Sequence, residues 1–88
     1  MSMTDAKARD ERKPTIPNPE QIGRAVRQLR VKREMTLEVL ARTSGLHWTY
    51  LSGIERGRRN PTLNVMAAVA ASLDVKTSQL VLLAEDAD

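Results

Sequence analysis

Two short stretches of helical apolar spacing meet at a glycine in residues 37–56, LEVLARTSGLHWTYLSGIER, and this corner constrains the fold more than any other feature of the chain. Thr36 is placed to cap the first stretch, which is expected as a helix over residues 37–43 with Leu40 and Ala41 turned inward. Ser44-Gly45 then stops it, because glycine takes the left-handed conformation without a steric penalty. A second helix follows over about residues 48–56, with Leu51 and Ile54 inward and Gly57 as terminator. Each position has a reason: Ala41 is small where the second helix crosses, Gly45 turns, Leu46 plugs the turn, and Leu51 and Ile54 anchor the second helix. Two helices joined by a three-to-four-residue turn containing glycine form a helix-turn-helix hairpin.

Around this corner the sequence predicts three more helices. Asn18, Pro19 and Gln21 give an N-cap, a proline at the first helical position and a capping-box partner, so helix 1 should run over about residues 19–33 with Ile22, Ala25, Val26 and Leu29 inward. Thr62 after Pro61 caps helix 4, whose stripe is Leu63, Met66, Val69, Ala70 and Leu73, closed by Asp74. Helix 5, about residues 78–85, carries the run LVLLA. That is more apolar surface than one small helix hides against its own core, which points to an oligomer contact through Leu80, Val81 and Leu83. Residues 1–18 are polar, hold two of the four prolines and show no apolar period, so a flexible tail is expected ahead of a domain over residues 19–85.

Composition agrees with an all-α fold. Aromatics are 2% of the chain and Phe is absent, so the core must be built from Leu, Val, Ile, Met and Ala. At 88 residues the chain has room for one small domain. With no cysteine and one histidine, disulfides, thiolate metal sites and multi-histidine sites are excluded, and no metal or cofactor is expected. An enzyme would need nucleophile, base and stabiliser in one pocket, and this inventory offers little to build them from. The longest apolar run, Val65 to Ala71, falls far short of the ~20 residues of a membrane span, so no membrane partner and a cytoplasmic location are expected.

Charge is unevenly spread. Residues 19–62 hold nine basic and four acidic side chains, whereas residues 63–88 hold one and four. A basic middle faces a polyanion, and a helix-turn-helix hairpin inside it points to double-stranded DNA.

The hairpin and the following YLSGIERGRRNPTL resemble the Cro/cI-type (XRE-like) helix-turn-helix family over about residues 20–83. The likeness is strongest to restriction-modification controller proteins and small phage-type repressors. It implies a five-helix lambda-repressor-like DNA-binding domain, acting as a homodimeric transcriptional regulator on a palindromic operator. It also implies that His47, Trp48 and Thr49 face base edges at the start of the recognition helix, with Ser52 and Gly53 one turn later. Thr36, Tyr50, Arg56, Arg58, Arg59 and Asn60 are implied as phosphate contacts, with the Tyr50 ring partly structural. Arg30 and Glu55 are implied as a partly buried ion pair that fixes the recognition helix. Three departures stand out. Many relatives carry Arg or Gln where this chain has Trp48, a phosphate-holding Gln where it has Leu37, and a capping Ser or Asp where it has His47, so a weaker helix start is expected there. The alternative reading is an antitoxin-like or adaptor protein whose main task is holding a protein partner, with DNA control secondary.

Overall fold

The computed structural model describes residues 15–86, and among them there are five helices and no strand. They are α1 (Pro19–Lys32), α2 (Leu37–Ser44), α3 (Trp48–Glu55), α4 (Leu63–Ser72) and α5 (Thr77–Asp86). Residues 15–18 precede α1 without regular structure, and the remainder of the expected tail lies outside the described residues.

Local chemistry sets the helix starts. Asn18 Oδ1 accepts from the Gln21 N–H at 2.8 Å while the Asn18 N–H donates to Gln21 Oε1 at 2.9 Å, closing the expected capping box. The Thr36 and Thr62 hydroxyls accept from Val39 N–H at 3.1 Å and Val65 N–H at 3.2 Å. Before α5, the Lys76 N–H donates to Gln79 Oε1 at 2.7 Å, and the helix begins one residue earlier than expected. Gly45 turns at φ +74°, and the Leu46 N–H reaches back to the Ala41 carbonyl at 3.0 Å. α4 ends in Leu73, with Asp74 following at φ +57°.

α1 packs on α3 and α5, α2 on α3 and α4, and α4 on α5, so one core serves all five helices. Val26, Leu40, Leu51, Ile54, Val69, Leu73 and Leu80 are its largest fully enclosed side chains. Each contributes roughly 1.5–3 kcal/mol by leaving water, and the ring is aliphatic throughout, as the composition requires.

Two residues depart from the expected pattern. Leu63 has the right angular position for the α4 stripe, yet it is 70% exposed, because it lies at the first turn, beyond the elements that cover Met66, Val69 and Ala70. Leu80 was expected at an oligomer contact. It is instead fully buried in its own core, on the same face as Ala84, while Val81 and Leu83 are half-buried against that core and Leu82 is the α5 leucine left out, 57% exposed. Among the described residues no single helix is long and apolar enough to cross a membrane.

Candidate nucleic-acid interface

The position of α3 is fixed from behind. Arg30 on α1 donates from Nε to Glu55 Oε2 at 2.6 Å and from Nη2 to Glu55 Oε1 at 3.0 Å, a two-pronged ion pair. Its remaining prong, Nη1, donates to the Met35 carbonyl at 2.8 Å. One guanidinium therefore ties the end of α1, the turn before α2 and the end of α3. Both side chains are largely withdrawn from solvent, at 16% and 9% exposure, where charge-assisted bonds are strong. The hydrogen bond to Glu55 holds the Arg30 guanidinium above its already high ordinary pKa, outweighing partial burial. The expected ion pair is present, and Glu55 is consumed by it.

A second restraint is missing from the sequence reading. Gly23 on α1 lies against the α3 backbone so closely that a Cβ there would sit 2.4 Å from the Ile54 carbonyl oxygen and 2.6 Å from that of Glu55. The clue in the sequence was a glycine inside an otherwise well-patterned amphipathic helix, where alanine would be preferred unless another backbone comes close.

With its C-terminal end held in this way and Tyr50 and Leu51 packed inward, α3 turns one face of its start outward. His47, Trp48 and Thr49 are exposed, and Ser52 and Gly53 are half-exposed one turn on. His47 does cap the helix: its Nδ1 accepts from the Thr49 N–H at 3.2 Å, which leaves Nε2 as the nitrogen free to donate outward. The imidazole lies 22° from the plane of the Trp48 indole, with ring centroids 6.5 Å apart.

Beyond α3 the loop places Arg56, Arg58, Arg59 and Asn60 in solvent, and the three arginines share one concavity with Trp48, Thr49 and Ser52. Arg59 is not a free loop arginine. Its side chain crosses Gly53, where a Cβ would stand 2.8 Å from Arg59 Cγ, and its guanidinium carbon lies 6.0 Å from the centre of the Tyr50 ring. Gly53, expected to meet base edges, thus lies under the Arg59 stem. Tyr50 is half-buried against the core, in keeping with a partly structural ring. Thr36 is exposed; its oxygen is used by the Val39 N–H, and its O–H remains available as a donor. Leu37 is half-buried against the core. No group of three or more metal-ligating side chains comes together among the described residues.

Comparison with known proteins agrees with this geometry. The helix-turn-helix family model HTH_3 matches residues 26–80. The chain is 37% identical over 60 residues to an immunity repressor protein of Bacillus phage phi105, a match that covers 68% of this chain and 42% of the repressor. It is 42% identical over 59 residues to the control protein C.BamHI of Bacillus amyloliquefaciens, covering 66% of this chain and 73% of that protein. Among solved structures, the restriction-modification controller protein C.AhdI of Aeromonas hydrophila aligns with a TM-score of 0.69 at 35% identity, over 70% of this chain and 94% of C.AhdI. The chain spans less than half of the phage repressor's length. It belongs to the HTH_3 helix-turn-helix family of DNA-binding transcriptional regulators, and restriction-modification controller proteins are among its relatives.

Proposed function

We propose that the protein is a sequence-specific regulator of the controller type, binding a two-fold symmetric operator in double-stranded DNA as a homodimer. The observation that carries this is the exposed face at the start of α3, His47, Trp48 and Thr49, flanked by Arg56, Arg58 and Arg59 on a helix locked from behind by Arg30, Glu55 and Gly23. Trp48, Thr49 and Ser52 meet base edges in the major groove, and His47 flanks them with its Nε2. Thr36, Arg56, Arg58, Asn60 and the Tyr50 hydroxyl hold phosphates, which set register without reading sequence. Gly53 acts as clearance for the Arg59 stem, and Arg59, steadied on Tyr50, faces the backbone beside the groove. In the dimer, Leu82 leads the contact of α5 with its two-fold mate, with Val81 and Leu83 at its sides.

Selection of bound sequences from a random duplex pool, followed by salt-titrated binding, tests the reading. The expected result is an inverted repeat with half-sites about 10 base pairs apart, centre to centre, or a small multiple of that. With about four phosphates neutralised per protomer, the log-log salt slope is about −7 for the dimer. No enriched sequence and a slope near zero would overturn it.

A further inference from the structure

The reading end of α3 has an unusual chemical make-up. Its first turn carries no acidic or basic side chain, and the one carboxylate of the helix, Glu55, is bound to Arg30. The residue at its start is Trp48, a large apolar side chain left 55% exposed and the only exposed aromatic among the described residues. An indole has one N–H donor and no acceptor, so it cannot make the paired hydrogen bonds by which Arg or Lys reads guanine and Asn or Gln reads adenine. Thr49 beside it is also exposed and presents a methyl group, and the two line the same concavity as Ser52 and Gly53. The His47 imidazole lies nearly parallel to the indole, with ring centroids 6.5 Å apart.

Only one feature of base edges in the major groove is apolar: the methyl group on C5 of thymine. 5-Methylcytosine presents the same group at the same place. We propose that Trp48, together with Thr49, selects a 5-methylpyrimidine at one step of each half-site, enclosing the methyl group between indole and threonine. The selection rests on the DNA-reading role proposed above and adds the chemical class of base that this chain prefers.

The test uses the full chain and its selected operator, with each thymine replaced singly by uracil, which removes the methyl group and keeps every hydrogen-bonding atom. One position per half-site should lose about fourfold in affinity, the value of one buried methyl group, while the others stay unchanged. In Trp48→Ala, whose fold is checked by circular dichroism, the uracil penalty at that position should vanish. Cytosine and 5-methylcytosine at the same position then separate the two sources. A tighter complex with 5-methylcytosine than with cytosine shows that the methyl group suffices, and equal binding assigns the choice to thymine, read with its carbonyl. The inference is overturned if uracil is neutral everywhere, or if Trp48→Ala keeps the same penalty, although the operator is still bound. Failure of the unmodified chain to prefer any duplex overturns the DNA-reading role and this inference with it.

Discussion

Replacing Gly23 by alanine sets two effects of opposite sign against each other, and the structure says which wins. Alanine is about 1 kcal/mol better than glycine inside a helix, so on propensity alone the variant gains stability. The added Cβ, however, would sit 2.4 Å and 2.6 Å from the carbonyl oxygens of Ile54 and Glu55 and 2.9 Å from the Glu55 carbonyl carbon. All three are backbone atoms and cannot swing aside. Carbon–oxygen contacts of this kind ordinarily settle at about 3.3 Å or more, so α1 must retreat from α3 by about 1 Å. Overpacking of this sort costs about 1–3 kcal/mol and sometimes more, and the retreat also stretches the Arg30–Glu55 pair that spans the same two helices. With about 1 kcal/mol more for the weakened pair and the propensity gain subtracted, the net expectation is a loss of about 1–3 kcal/mol, or about 5–20 °C in Tm for a domain of this size. Thermal and urea unfolding followed by circular dichroism measure it. Gly53→Ala is the control: there the close neighbour is Arg59 Cγ, at 2.8 Å, in a flexible side chain that can move, so stability should change by less than about 1 kcal/mol. A Gly23→Ala protein as stable as the parent, or more so, would refute the packing argument.

Glu55→Gln keeps the shape of the side chain and removes the charge, and should lower stability by about 2 kcal/mol in urea unfolding, since the Arg30 bonds lose their ionic partner. Because the folded state raises the Arg30 pKa, the arginine's contribution is present at lower pH and is lost only as pH rises through that raised value, so Arg30 adds no pH slope to stability between about pH 7 and 10. A strong slope of the variant-to-parent difference across that window would contradict this. If the protein is the homodimer proposed above, Leu82→Asp should leave the fold intact and give a monomer in sedimentation, whereas Leu80→Asp, at a fully buried position, should unfold the chain; a dimer mass kept by Leu82→Asp would move the contact elsewhere.

Much of this architecture was legible because it is local. Asn18, Thr36 and Thr62 announce helix starts by their own side chains, and Gly45 announces a turn, so four elements begin where a linear reading puts them. What escaped depends on where an element ends in space. The angular period that places Leu63 on the inner face of α4 says nothing about whether a neighbour extends far enough along the axis to cover it. In the same way, LVLLA reveals surplus apolar surface without saying which leucine the core takes, and it takes Leu80 and leaves Leu82. At the candidate site, the partnership of Arg30 with Glu55 came from family resemblance, since the two lie 25 residues apart with no local pattern linking them. The crossing of Arg59 over Gly53 is likewise a tertiary contact with no local signature.

The contacts of α3 with Gly23 and Arg30 of α1 are gathered at one end. Ile54 and Glu55 meet α1 through Gly23 and Arg30, while Trp48 and Thr49 stand in solvent. Tyr50 and Leu51 pin the inner face of the helix to the core as well, and only the opposite face at its start is bare. Side chains on that bare face can be exchanged without disturbing the contacts behind it, so the outer surface of α3 can be rewritten at little risk to folding. That freedom fits a tryptophan standing where the family resemblance leads to an expectation of Arg or Gln.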